Sequence, residues 1–163
     1  MAVEVVPVAE AHFEGLYRAL DSVARERRFL AFLQAPPKDE AFAFFRQIVA
    51  RRLCQVVAVE DGAVLGWCDV LPTHGEARAH VGVLGIGVVG EARGRGIGRR
   101  LMELAVDGAW ARGMSRIELT VRADNPRAQA LYERLGFVVE GVQRGAFCVD
   151  GASFDAHAMA LVR

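Results

Sequence analysis

The sequence predicts a single α/β domain, in which helices cover a mixed β-sheet. A length of 163 residues suits one domain with a sizeable core. Hydrophobic residues make up 53% of the chain and charged residues 25%, a balance typical of globular proteins. Segments with the period of a strand and segments with the period of a helix follow one another in the order β-α-α-β-β-β-α-β-α-β-β. We therefore expect one domain over residues 1–163, without a linker or an internal repeat.

The first half of the chain predicts a strand, two helices and a hairpin. Apolar residues alternate within residues 1–10, which favours a strand, and they recur at helical spacing from Glu10 to about Glu26. An apolar loop then ends at Pro36-Pro37, and residues 38–51 predict a second helix. Asp61-Gly62 separates two β-rich runs and is a strong hairpin signal.

The second half begins with a loop and continues as alternating strands and helices. These are a strand over 80–89, a helix over 96–113, a strand over 115–121 and a helix from Asp124 to just before Gly136. The remaining residues predict a strand, an irregular stretch and a hairpin around Asp150-Gly151.

Charge and cysteine content exclude several classes of function. Lysine plus arginine number 20, as do aspartate plus glutamate, so nothing in the net charge favours nucleic acid or an anionic membrane as a partner. The N-terminus lacks the features of a signal peptide and no apolar run could span a bilayer, so we expect a cytoplasmic protein. Cys54, Cys68 and Cys148 show no metal-ligand spacing, and we expect three reduced, buried thiols and no metal.

Two glycine patterns lie next to each other, and the first is a poor nucleotide site. Residues 85–90 spell G-x-G-x-x-G, the dinucleotide fingerprint, which requires a helix to open within the glycines. Residues 91–94 do not continue as a helix, and the acidic residue expected about 20 positions later is missing. We therefore place Gly85 and Gly87 inside a strand, at a bulge or where a ligand approaches the backbone.

The second pattern, Arg93-Gly94-Arg95-Gly96-Ile97-Gly98, has the properties of a phosphate site. Its glycines allow successive backbone N–H groups to face one anion, and the helix that begins there adds unpaired N–H groups. Arginines at the start of a helix oppose its dipole, and a bound polyanion would relieve that conflict. The alternative is a solvated, arginine-rich loop.

The same residues match a known family. Residues 93–98 resemble the (Q/R)-x-x-G-x-(G/A) segment of the GNAT superfamily of N-acetyltransferases, and "ADNPRAQALYERLGF", residues 123–137, resembles its second conserved region. The resemblance implies a mixed, mostly antiparallel and twisted sheet of about seven strands, flanked by about four helices. The C-terminal segment resembles the branch that acetylates amino acids and other small amines, with relatives that act on ribosomal-protein N-termini.

The resemblance implies acetyl-CoA as the co-substrate. Its pyrophosphate would lie on the glycine loop, its pantetheine arm would pair with the preceding strand, and Tyr132 would face the sulfur as the catalytic residue. Asn125 suits a helix N-cap, and Tyr132 follows seven residues later on the same helix face. A tyrosine packed in the core, with its hydroxyl bound to the backbone, is the alternative. The cofactor-binding residues implied are Ile86, Gly87, Val88, Arg93, Gly94, Arg95, Gly96, Ile97, Gly98, Arg99, Asn125 and Tyr132.

The general base is left open, because the glutamate that many family members carry before the glycine loop is absent from residues 80–89. The candidates are His80, Glu118, Asp155, His157 or a chain of water molecules.

We expect transfer of an acetyl group to a primary amine of a small molecule such as an amino acid, by direct attack in a ternary complex. The acceptor site should lie between residues 25–37 and 144–151. The alternatives are acetylation of a protein N-terminus, a CoA-binding module without catalysis and, least favoured, a nicotinamide-binding protein. A homodimer is expected only because members of the resembled family often form one.

Overall fold

A computed structural model describes residues 2–163. The strand expected within residues 1–10 is present. Met1, which that prediction included, lies outside the described residues. Seven strands are present: β1 Glu4–Pro7, β2 Cys54–Glu60, β3 Ala63–Pro72, β4 Val81–Val88, β5 Arg116–Arg122, β6 Val138–Val149 and β7 Ala152–Val162. Four α-helices accompany them: α1 Phe13–Arg25, α2 Lys38–Ala50, α3 Ile97–Ala111 and α4 Pro126–Arg134.

The strands form one sheet in the order β1-β2-β3-β4-β5-β7-β6. All neighbours pair antiparallel except β4 and β5, which run parallel. The mixed, mostly antiparallel sheet and the order of elements are therefore confirmed.

Two hairpins occur where the turn residues predict them. Asp61 and Gly62 connect β2 to β3 with φ values of 51° and 79°. Asp150 and Gly151 connect β6 to β7 with φ values of 52° and 80°. Two successive residues with positive φ match the right-handed twist of the flanking strands, and this is why Asp-Gly is favoured there.

The helices cover the two faces of the sheet. On one face α1 packs closely on β3, where a Cβ on Gly15 would lie 2.8 Å from Val64 Cγ2, and α2 packs beside α1 through Phe13 and Phe45. On the other face α3 crosses β2, where the Cys54 thiol donates to the carbonyl of Ala105 at 3.2 Å. Successive residues of a strand point to opposite faces, so β3 contributes side chains to both layers.

The end of the chain differs from the expectation. Residues 138–149 form one long strand, interrupted by two register shifts against β7, where we expected a strand followed by an irregular stretch. Because β6 is an edge strand that pairs only with β7, most of it is exposed. Cys148 is exposed on this strand, so the expectation that all three thiols are buried is wrong for Cys148 and correct for Cys54 and Cys68. Among residues 2–163, no helix is both long and apolar enough to cross a bilayer.

Candidate functional site

The central sheet opens between β4 and β5. The two strands pair only at their beginnings, where Val81, Gly82 and Val83 face Arg116, Ile117 and Glu118. From Leu84 to Val88, β4 pairs with β3 on one side, and no pair with β5 is found on the other side within the described chain. Apart from Val88 O, which accepts from Arg93 Nε at 3.0 Å, the backbone groups at this edge of β4 are thus available to another extended chain.

The first two glycines of the first pattern, Gly85 and Gly87, lie in β4, as the sequence predicted, whereas Gly90 follows the strand. Gly87 pairs with Trp67 and Gly85 pairs with Asp69, so each glycine faces a large side chain of β3. A Cβ on Gly87 would lie 2.6 Å from Trp67 Cζ2, and a Cβ on Gly85 would lie 3.2 Å from Asp69 Oδ1. These glycines therefore allow two side chains of β3 to lie over β4.

The second glycine pattern begins a helix. Gly94 and Gly96 have φ values of 78° and 77°, a region that glycine adopts without steric cost. Gly96 is the N-cap of α3, and no acidic side chain stands in the first turn of that helix. The first N–H groups of α3 have no partner within the helix, so they can bind an anion.

The arginines of this loop and of the first turn of α3 are already bound to other parts of the chain. The guanidinium of Arg93 has three partners: it pairs with Glu26 at 2.7 Å, donates to Val88 O at 3.0 Å and stacks over the ring of Phe29. The others have these partners: Arg95 with Glu60 at 2.6 Å, Arg99 with Glu103 at 2.8 Å and Arg100 with Val3 O at 2.9 Å. Carboxylates of the chain thus offset part of the charge that we expected a polyanion to balance, and the backbone amides remain the main candidates for anion binding.

Helix α4, which is capped by Asn125 and carries Tyr132, packs beside the start of α3 and the end of β4. Asn125 caps the helix, with its side-chain oxygen accepting from the N–H of Ala128 at 3.3 Å. One turn before the end, Leu131 Cδ2 lies 3.6 Å from the position that a Cβ on Gly98 would take, and Ile86 of β4 lies 4.0 Å from the same point. The start of α3, helix α4 and the end of β4 therefore meet.

Tyr132 is buried, yet its hydroxyl makes no hydrogen bond to any residue from 2 to 163. The alternative of a core tyrosine bound to a backbone group is therefore not what the structure contains. Burial raises the pKa of Tyr132 above its ordinary value, and the neighbouring Cys68 adds to the shift. The phenol stays protonated at neutral pH and is free to donate.

A cavity of about 480 Å³ lies between the sheet and helices α1 and α2. Most of its wall is apolar, with side chains from α1, α2 and the intervening loop: Leu16, Leu20, Leu30, Phe32, Phe44 and Phe45. Loop 25–37 contributes to the wall, as expected, whereas no residue of the 144–151 hairpin does. The hairpin instead holds the loop, because Asp150 pairs with Arg27 at 2.6 Å.

The four side chains expected as bases lie outside this cavity. His80 is exposed just before β4. The others are bonded elsewhere: Glu118 to Arg78 and Arg116, Asp155 to the N–H of Gly145, and His157 to Gln129.

Sequence reasoning missed Asp69, one of the two carboxylates that line the cavity, the other being Glu40. Asp69 accepts a hydrogen bond from Gln55 Nε2 at 3.0 Å, and these two residues pair across β2 and β3. Burial raises the pKa of Asp69 to about 7, although the bonds from Gln55 and from the backbone of Gly85 oppose the shift. The signal was available: each residue interrupts an apolar run, in "CQVV" and "GWCDVL", and the predicted hairpin brings those runs together.

The fold and the site define a class of acyl-transfer domains. In this class two parallel strands in the middle of the sheet separate beside a glycine-rich loop that begins a helix. A model of the Acetyltransferase (GNAT) family matches residues 16–137, so the chain belongs to that family and is an acetyl-CoA-dependent N-acetyltransferase. Among residues 2–163, no group of three His, Cys, Asp or Glu side chains could hold a metal ion.

Two relatives in sequence and one solved structure with the same fold illustrate the likeness. L-amino acid N-acetyltransferase AaaT of Escherichia coli is 35% identical over 67% of this chain and 68% of its own length. N-alpha-acetyltransferase RimI of Mycobacterium tuberculosis is 36% identical over 72% of this chain and 71% of its own. A phosphinothricin acetyltransferase from Sinorhizobium meliloti, solved with acetyl-CoA, has the same fold with a TM-score of 0.91 at 22% identity, covering 99% of this chain and 89% of its own.

Proposed function

We propose that the protein transfers the acetyl group of acetyl-CoA to a primary amine of a small molecule, such as an amino acid, by direct attack in a ternary complex. The observation that carries the proposal is the open edge of β4, which meets the start of α3 and the helix α4 that carries Tyr132. The pantetheine arm would pair with the open edge, the pyrophosphate would bind the helix start, and the thioester would then lie near the phenol of Tyr132.

The coenzyme would be held mainly by backbone groups. The pantetheine arm would run along Ile86, Gly87 and Val88 and pair with those backbone groups that alternate toward the open edge; Val88 O already accepts from Arg93, which leaves the N–H of Val88. Residues 93–98 would offer amides to the pyrophosphate. Arg93 fixes the loop against β4, while Arg95 and Arg99 add positive charge near it. Asn125 positions α4 by capping its first turn.

Tyr132 would act on the leaving group. When the amine nitrogen attacks the thioester carbon, negative charge develops on the carbonyl oxygen, which the N–H near Val88 can stabilise. The C–S bond then breaks, and the sulfur receives a hydrogen bond or a proton from the hydroxyl of Tyr132. A buried neutral phenol suits this role because it donates without being ionised.

The relatives support two classes of acceptor. The name of the Escherichia coli relative refers to L-amino acids, and that of RimI refers to the α-amino group of a protein. A cavity of about 480 Å³ can bury a small molecule or the first side chain of a peptide, and we favour the small molecule. The cytoplasmic location and the homodimer stay predictions.

The test is a screen of acceptors with acetyl-CoA that follows the release of free thiol. Amino acids, simple primary amines and short peptides with a free N-terminus are compared at the same concentration, and products are identified by mass. The proposal expects turnover with a small amine. Turnover with peptides alone would instead favour the second class of acceptor, and release of thiol without acetylated product would contradict both.

A further inference from the structure

We infer that Asp69, held in place by Gln55 at the bottom of the apolar cavity, binds the acceptor amine and takes its proton. The inference rests on the proposed function and adds to it the group that binds the amine and the class of acceptor that fits. Within the small amines of the proposed function, that class is a primary amine attached to an apolar body rather than an amino acid, whose carboxylate would face Glu40 and Asp69.

The position of Asp69 is the first argument. The residue faces Gly85 across the β3–β4 pair. Its Oδ1 lies 3.2 Å from the point where a Cβ on residue 85 would stand, so the carboxylate uses space that only a glycine leaves open. Neighbouring strands lie about 4.8 Å apart, so the carboxylate extends over β4 toward the open edge one strand away. An amine bound there would lie beside the thioester, directly or through one water molecule.

Gln55 is the second argument. Its side chain is only 4% exposed, it lines the same cavity, and its Nε2 donates to Asp69 Oδ2 at 3.0 Å. Its Oε1 is buried and has no hydrogen-bond partner within the described chain. A buried acceptor without a partner costs about 1–3 kcal/mol, and an N–H donor of a ligand would remove that cost. An amine has several N–H donors, so it can bind Asp69 and Gln55 together.

The remaining wall defines the rest of the acceptor. Apolar side chains of α1, α2 and the loop between them surround the polar pair, and Phe32 and Phe44 are exposed on this side of the molecule. The charged side chains in the wall, Glu40 and Asp69, are both acidic and suit a cationic amine. Burying an apolar body against these rings would provide most of the binding free energy.

The chemistry balances with the groups present. The bound ammonium ion first loses one proton to Asp69, which releases it to water. The neutral amine then attacks: the N–C bond forms as the C–S bond breaks, and the second amine proton passes to Asp69 and on to water. The sulfur leaves as a thiolate that accepts a hydrogen bond from Tyr132, and it takes its proton from solvent. A carboxylate whose pKa burial has raised to about 7 is a suitable base near neutral pH.

The test uses 2-phenylethylamine and acetyl-CoA, with thiol release measured from pH 5.5 to 9 in the full chain. For Asp69→Asn we expect kcat/KM at pH 8 to fall by about 100-fold or more, with loss of the acidic limb of the pH profile near pH 7. Acetyl-CoA affinity, measured by calorimetry, should be unchanged. Asp155→Asn is the matched control, since Asp155 is exposed and outside the cavity, and its profile should follow the wild type.

A second variant keeps the inference testable if Asp69→Asn fails to fold. The bond from Gln55 lowers the pKa of Asp69, so Gln55→Leu should move the acidic limb to higher pH. If Asp69→Asn retains the activity and the limb, or if Gln55→Leu leaves the limb in place, the inference is overturned while the proposed acetylation of amines stands. If the wild type acetylates no amine in the screen, both fail.

Discussion

Asp69 and Tyr132 lie on opposite faces of the central sheet. Asp69 faces the cavity beneath α1 and α2, whereas Tyr132 neighbours Cys68, the preceding residue of β3, which points to the face covered by α3. Adjacent residues of a strand point in opposite directions, so one dipeptide of β3 is in contact with both layers. A thioester in the open edge of β4 would have a carboxylate on one side and a phenol on the other. In the proposed mechanism, attack by the amine and departure of the thiolate would thereby occur on opposite faces of the sheet.

Replacing Tyr132 with phenylalanine should reduce turnover without reducing stability. The hydroxyl has no partner among residues 2–163, so its loss leaves no buried group unpaired. We expect kcat to fall by about 100-fold, with KM for acetyl-CoA little changed, because the interaction strengthens as the thiolate forms. Steady-state kinetics and a thermal melt measure the two effects.

The other tyrosine provides the control for that experiment. Tyr17 donates to the carbonyl of Pro36 at 2.8 Å, so Tyr17→Phe should lose about 1 kcal/mol of stability while kcat stays close to wild type. A destabilised Tyr132→Phe with normal kcat would mean that Tyr132 serves only packing.

Gly96→Ala should weaken the binding of acetyl-CoA. With φ at 77°, an added Cβ costs about 1–2 kcal/mol and disturbs the first amides of α3, although no protein atom lies within 4 Å of it. We expect an affinity loss of about 10-fold or more by calorimetry, because those amides would bind the pyrophosphate.

Gly62→Ala separates the loss of affinity from backbone strain. Gly62 has a φ of 79° and equally open surroundings, but it lies in the β2–β3 turn. Both variants should lose similar stability, and only Gly96→Ala should lose affinity. Equal affinity in the two variants would place the phosphates elsewhere.

Asp69→Asn should change how stability depends on pH. The pKa of Asp69 is about 7 in the folded protein and about 3.9 for an unfolded chain, so the folded state binds more protons between these values. The contribution of this carboxyl to the free energy of unfolding is therefore present in full below about pH 4, and it is lost as the pH rises to about 7. Carboxylates with lowered pKa values, such as Asp21 and Glu60, change stability in the opposite direction at lower pH, so variant and wild type must be compared at each pH.

The measurement is urea unfolding of both proteins between pH 5 and pH 8.5. The stability of Asp69→Asn relative to wild type should rise by about 3 kcal/mol over this range, most of it below about pH 7. A difference that does not vary with pH would show that Asp69 is ionised throughout and would contradict the raised pKa.

A matched pair of acceptors tests the character of the cavity. L-phenylalanine and 2-phenylethylamine differ only by a carboxylate, and the charged residues in the wall, Glu40 and Asp69, are acidic. Like charges in a partly apolar site repel, so kcat/KM should be higher for 2-phenylethylamine by about 10-fold or more. A preference for L-phenylalanine would require a positive group to reach the cavity when the substrate binds.

The sequence by itself determined the order of elements, both Asp-Gly hairpins and the helix that starts at the second glycine pattern. These depend on local chemistry: turn residues tolerate positive φ, apolar spacing follows the period of the element, and Asn125 caps its own helix. It also separated the two glycine patterns, because a fingerprint without a following helix cannot present helix amides to a phosphate.

Only the tertiary structure decided where the acid and base candidates lie. Whether β4 pairs with β5 beyond Val83 depends on contacts between distant segments, and so does the packing of Trp67 and Asp69 over Gly87 and Gly85. The pKa of Asp69 depends on burial beneath α1 and α2, which no local pattern encodes. Four side chains with suitable chemistry lie outside the cavity: His80, Glu118, Asp155 and His157. The distance from a side chain to the cavity depends on the folded chain and not on the sequence pattern.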